Sequence, residues 1–245
     1  VFEGPELYHG ITVWLAIIAY AGQIYYDFSG YTDIAIGVAK TLGYRFPRNF
    51  RHPYLATSIT VFWRRWHMTL SRWLRDYVYI SLGGNQHGFR RTLTNLLITM
   101  VLGGLWHGAA WTFVLWGAWH GLLLITHRVW RQSVGKTIPI AIRWSLTFLA
   151  VAFGWILFRS QSLEHATIVF VRLFRVDDGV LWIPPLAVAA VFIALIEHIL
   201  WATKGRRMMS LPADRWYSPV ATAIFVWCLL LYAPRNFAPF VYFQF

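Results

Sequence analysis

The chain has 245 residues, of which 58% are hydrophobic and only 13% charged, and it carries a net charge of +12. A soluble domain has roughly 25% charged residues. A soluble helical domain would therefore lack the polar surface to cover 15 Trp, 18 Phe and 12 Tyr. The basic charge is not a nucleic-acid footprint either, because Lys and Arg cluster between apolar runs, as in the cytoplasmic loops of membrane proteins. Several of those runs approach the roughly 20 residues that span a bilayer, which predicts an all-α, polytopic membrane protein. A single cysteine, Cys228, excludes an intrachain disulfide. The chain opens on Val1 with no signal sequence, as expected of a fragment or processed piece.

In chain order, residues 11–28 form a first apolar segment, Gly30 is expected to break it, and 34–42 resume a short helix. Asp27 and Asp33 then sit at or near the membrane, where the plain expectation is that they cap helices or pair with arginines. Residues 43–91 contain nine arginines against Asp76 alone, which places them on the cytoplasmic side. Within that stretch, 60–80 is too polar to span. Its Trp63, Trp66, Leu70, Trp73, Leu74 and Tyr77 recur at spacings of three and four, predicting a helix lying in the membrane interface. His67 falls in its middle.

The 36 residues 93–128 would make one helix of about 54 Å, too long for a hydrocarbon core of about 30 Å, and are slightly short for two spans. Gly103, Gly104 and Gly108 offer places to break. The prediction is a broken-helix hairpin, tolerated at membrane depth only where it lines a protein cavity. His107 lies near its bend, flanked by Trp106 and Trp111. Arg128, Arg131, Lys136 and Arg143 return the chain to the cytoplasm. Residues 144–158 lead out again, 159–178 form an outer loop with an amphipathic helix, and 184–201 lead back to Lys204, Arg206 and Arg207. Residues 219–232 cross once more, leaving 235–245 outside.

Nine histidines are present. His9, His52, His87, His127 and His165 lie near predicted ends or loops and are assigned no role. His198 follows Glu197 in an apolar run, where the two satisfy each other. His67, His107 and His120 remain. On a continuous helix the 13 residues from His107 to His120 turn about 1300°, some 220° net, so those rings face nearly opposite ways. No HExxH or paired Cys/His spacing predicts a metal, and no GxSxG, Walker or Rossmann motif occurs. His67 meets His107 only if the interfacial helix packs under the hairpin. Ionisable groups at membrane depth are functional candidates by default. A lone imidazole with an unperturbed pKa near about 6.5 suits general-base work on a hydroxyl. Without a Ser or Cys nucleophile beside it, direct acyl transfer is simpler than a covalent enzyme intermediate.

The run 62–77 (FWRRWHMTLSRWLRDY), then Gly83-Gly84-Asn85, then Gly104-Leu105-Trp106-His107-Gly108, resembles the membrane-bound O-acyltransferase family, in its bacterial branch of alginate O-acetyltransferases. The stretches 27–33 (DFSGYTD), 116–121 (WGAWHG) and 240–245 (FVYFQF) are similar to the same branch. The resemblance covers essentially the whole chain and implies that residues 1–245 are the C-terminal part of a single membrane domain whose N-terminal part is absent. It further implies a multi-pass enzyme of the bacterial inner membrane that moves an acetyl group towards an extracytoplasmic polysaccharide. The family's signature histidine falls on His107 and its second on His67. No tightly bound cofactor is implied. Acetyl-CoA is the expected donor, with Arg64, Arg65 and Arg72 placed to attract its phosphates. The other implied partners are the lipid bilayer and extracytoplasmic acetyltransferase proteins. Two further readings stay open: D-alanyl transfer within the family, and a transporter with a proton path through Asp27, Asp33 and His107.

Overall fold

A computed structural model of the chain describes residues 1–133, 138–175, 178–204 and 215–232. Lys136, Asp177, Arg206, Arg207 and the closing segment 235–245 lie outside the described residues. Among the described residues the structure is helical, with one isolated bridge between Tyr8 and Val180 as its extended pairing. The helices are α1 (Gly10–Thr41), α2 (Ile59–Trp63), α3 (Met68–Trp73), α4 (Gly88–His107), α5 (Trp111–Ser133), α6 (Ile140–Arg159), α7 (Leu163–Arg172), α8 (Pro185–Lys204) and α9 (Tyr217–Tyr232).

Helix starts follow local chemistry. His9 Nδ1 accepts the Ile11 amide at α1, Ser58 Oγ accepts Val61 at α2, and Ser162 Oγ accepts His165 at α7. Each removes one of the orphan donors of a first turn. Proline opens α8, where its missing N–H costs nothing. Contrary to expectation, Gly30 does not break α1, which runs unbroken for 32 residues. A glycine inside a helix costs about 1 kcal/mol, too little to stop a 32-residue helix whose hydrogen-bond ladder propagates through it. Asp27 and Asp33 thus lie inside α1 and not at a helix start.

The hairpin forms as predicted, but its glycines act differently. Gly103 and Gly104 stay inside α4 and the break comes at 108–110. A Cβ on Gly104 would strike the Phe113 carbonyl, and one on Gly117 would strike the Met100 carbonyl and lie 2.9 Å from Val101 Cα. These residues let the α4 and α5 backbones touch. The arms also run further than expected, to 20 and 23 residues, or about 30 and 35 Å. Their polar residues Thr92, Asn95, Thr99, Thr112 and His120 are buried.

Asn95 donates from Nδ2 to the carbonyls of both Leu82 and Gly84 at 3.0 Å, fastening a turn with positive φ at Gly83 and Gly84 onto α4. Asn95→Leu leaves two carbonyls without that donor and is expected to cost about 2–4 kcal/mol, read as a lowered melting point of the purified protein.

An aromatic core draws Tyr20 and Tyr25 from α1, Phe62 from α2, Phe113 and Trp116 from α5, and Trp155 and Phe158 from α6. A smaller aliphatic core joins α1, α6 and α7 through Val13, Ile17, Ile156, Val169 and Leu173. The amphipathic helix expected in 159–178 is α7. Its Arg172 is buried, donates to the Tyr8 carbonyl and pairs with Asp178 at 2.7 Å, so this charge holds the fold together. By length and composition α6 is the one described helix fit to cross a membrane; the apolar stretch Pro185–Leu200 of α8 is shorter. Large apolar side chains nonetheless face outward along α8 and α9, among them Leu186, Phe192, Ile193, Ile224 and Trp227. Contiguous apolar surface of this kind marks contact with lipid or protein.

Candidate active site

His107 is the last residue of α4, where Gly108 lets the chain leave the helix. Its ring is surrounded by aromatic faces. Trp106 lies 5.0 Å away between centroids, Trp116 and Phe158 at 5.1 Å, and Phe113 at 6.4 Å in a stacked orientation. The cage therefore comes from three helices. Trp111, expected to flank the histidine, is 72% exposed. The residues that do enclose it, Trp116 and Phe158, lie 9 and 51 positions downstream, and only folding brings them in. Gly108 is bound into the same wall, because a Cβ there would meet the Phe113 ring.

The interfacial helix predicted over 60–80 is not one helix. It divides into α2, α3 and a π-helical turn, Leu74–Tyr79. The division falls at His67, whose φ of 41° is left-handed. A non-glycine residue held there is strained by about 1–3 kcal/mol, and such residues cluster at functional sites. The break also divides the apolar stripe: Trp66, Leu70 and Leu74 are buried, while Trp73 and Tyr77 face outward.

His67 caps α3, its Nδ1 accepting the Leu70 amide at 3.4 Å. This contact assigns the neutral tautomer, with Nδ1 accepting and the ring proton on Nε2. Burial pushes the imidazole down to about 4, so it stays neutral at physiological pH. His67 lies within electrostatic range of His107, and Trp106 touches both rings, 6.1 Å from His67 and 5.0 Å from His107. Phe28 of α1 closes the other side of His67 at 4.7 Å. The two histidines named from the sequence are thus neighbours across one indole.

His120 is fully buried, and neither ring nitrogen has a hydrogen-bond partner among the described residues. Trp116 packs against it at 4.9 Å and against His107 at 5.1 Å. The helix-phase prediction that His120 is not a direct partner of His107 agrees with this arrangement, although the break at 108–110 removes the premise of one continuous helix. Arg64 and Arg72 are exposed and Arg65 is half-buried, all on the segment that carries His67. Besides His9, which caps α1, two further histidines given no role have structural contacts: His127 Nδ1 lies 3.0 Å from Thr60 Oγ1, and His165 Nε2 lies 2.6 Å from the Phe2 carbonyl.

A histidine at the break of a helical hairpin and a second at a strained cap thus face one indole. Residues 5–165 match the model of MBOAT, the membrane-bound O-acyltransferase family. The chain is 38% identical to a probable alginate O-acetylase AlgI of Pseudomonas putida over 95% of its own length and 53% of that protein. It is 47% identical to the Azotobacter vinelandii protein of the same name over 69% of the chain and 34% of the relative. A peptidoglycan O-acetyltransferase of Helicobacter pylori is 43% identical over 64% of the chain and 30% of that protein. The chain therefore spans about half or less of the length of these relatives. It belongs to the membrane-bound O-acyltransferase family, and its place is in a membrane.

Proposed function

We propose that the chain carries the histidine-bearing part of a multi-pass O-acetyltransferase of the bacterial inner membrane. The acetyl group passes from a cytoplasmic thioester donor, acetyl-CoA, towards hydroxyls of an extracytoplasmic polysaccharide of the alginate type. The observation that supports this best is the position of His107, at the mouth of a broken hairpin and walled by Trp106, Phe113, Trp116 and Phe158. Such a ring sits partly out of water yet beside a gap in the helix, where a hydroxyl and a thioester could both approach it.

In the reaction so assigned, neutral His107 takes the proton of the acceptor hydroxyl as its oxygen attacks the thioester carbonyl. The C–S bond then breaks, and the proton passes to the leaving thiolate. His67, with its proton on Nε2, is suited to donate a hydrogen bond to the carbonyl oxygen as negative charge develops there. Arg64, Arg65 and Arg72 lie on the same segment and would attract the donor's phosphates. Partner proteins outside the membrane would complete delivery to the polymer.

Mass spectrometry of the cell-surface polymer tests the reading. Cells with the protein are expected to carry ester-linked acetyl groups that disappear from cells without it. D-Alanyl esters lost in their place would transfer the mechanism to the other branch of the family. An unchanged acyl content with altered polymer or proton flux would favour the transporter reading and sink this one.

A further inference from the structure

His52, Glu197 and His198 each bring one nitrogen or carboxylate oxygen into a group whose atoms all lie within 4.8 Å of one another. They come from opposite parts of the chain. His52 precedes the 3₁₀ turn Pro53–Leu55, whereas Glu197 and His198 are on α8. The two imidazole rings stand at 89° with centroids 5.3 Å apart. His52 is held at φ 46°, in the left-handed region, and is one of two non-glycine residues so placed among the described residues; the other is His67.

The hydrogen bonds around the group prepare it for a cation. His198 is 3% exposed, and its Nδ1 lies 3.0 Å from the Ala194 carbonyl and 2.7 Å from Glu197 Oε2. The Ala194 carbonyl only accepts, so the ring proton sits on Nδ1 and the lone pair on Nε2; an ion held on Nε2 draws the Glu197 carboxylate from its place beside Nδ1. That Nε2 is buried and has no hydrogen-bond partner among the described residues. A histidine that donates through one nitrogen to a backbone carbonyl, here Ala194, and presents the other bare is the usual arrangement of a metal ligand with its outer partner. Glu197 Oε2 in turn accepts from Tyr26 Oη at 3.1 Å, which orients the carboxylate. His198 also lines a largely apolar cavity of about 410 Å³ shared with Tyr25, Tyr26, Tyr54 and Trp144.

We propose that His52, Glu197 and His198 bind a divalent transition-metal ion of the zinc class and so tie the segment before α2 to α8. Two imidazoles and one carboxylate are a nitrogen-rich set that suits zinc and leaves a fourth position open. Arg51 and Arg65 lie within electrostatic range of His52 and oppose a cation; the Glu197 charge offsets one of them. The spacing rules that predicted no metal look for ligands within one motif, and here 145 positions separate the first pair.

The test is a Co²⁺ titration of the purified protein after chelation, followed by competition with Zn²⁺. One equivalent of Co²⁺ with visible absorption, displaced by Zn²⁺, is expected. At 100-fold excess over Kd, Zn²⁺ should raise the Tm by about 5 °C or more. His52→Ala and Glu197→Gln should each weaken Zn²⁺ binding at least 10-fold. His52 is only half-buried, so its variant should keep the metal-free melting point and separate ligand loss from misfolding. Absence of Co²⁺ absorption and of any Zn²⁺-dependent Tm shift would overturn the site in favour of a hydrogen-bonded His–Glu–His cluster. Unchanged binding in both variants would also overturn it, by placing the ion elsewhere.

Discussion

Changing His107 to Ala is expected to abolish acetylation of the polymer, a loss of at least about 10²–10⁴-fold, with the protein still present in the membrane at its normal level. The activity loss follows from removing the base itself, since the residues that cage it, Trp106, Phe113, Trp116 and Phe158, have no basic atom to replace it. The fold should tolerate the change because the ring sits at the end of α4 and is partly open, so its removal leaves no sealed core cavity. His107→Gln is the matching control: it keeps much of the volume and a hydrogen-bonding end but cannot take a proton, and should be equally inactive. Ester content is read on the purified polymer and protein level by immunoblot of membranes. Near-normal acetylation in either variant would dismiss His107 as the base.

The second large effect concerns the hairpin that positions this histidine. Gly117→Val places a Cβ on the Met100 carbonyl and 2.9 Å from Val101 Cα, both backbone atoms of α4 that cannot rotate aside. The helices must separate, at a cost of about 3 kcal/mol or more. Since the whole stability of a protein is about 5–15 kcal/mol, the variant should melt well below the parent and be depleted from membranes. Gly22→Ala on α1 is the contrast. A Cβ there meets nothing within 4 Å, and alanine is the better helix former by about 1 kcal/mol, so that variant should melt at or slightly above the parent. Equal melting of Gly117→Val and parent would show that α4 and α5 do not cross as closely as described.

Much of the site was legible before folding. The small residues around His107, set in an apolar stretch too long for one helix, carried both the break and the histidine's isolation. The motif 62–77 carried His67. Other readings failed for identifiable reasons. Gly30 and the Gly103-Gly104 pair read as breaks because glycine weakens helices, yet a long helix absorbs the cost of about 1 kcal/mol, and at Gly104 the missing Cβ serves contact. The even stripe of 60–80 concealed a turn at His67 because periodicity reports which residues are apolar and says nothing of backbone reversal. Trp111 was chosen as a flanking ring for its nearness in sequence, whereas Trp116 and Phe158 were brought there by the packing of α5 and α6.

By itself the sequence determined the helical character, the hairpin with His107 at its end and the family, because these depend on composition, length and short ordered motifs. The tertiary structure alone decided what surrounds each imidazole. It placed Trp106 against both His67 and His107, buried His120 behind Trp116, and drew His52 to Glu197 and His198. Such contacts join residues tens of positions apart, and their energy comes from burial and backbone approach that no local pattern encodes.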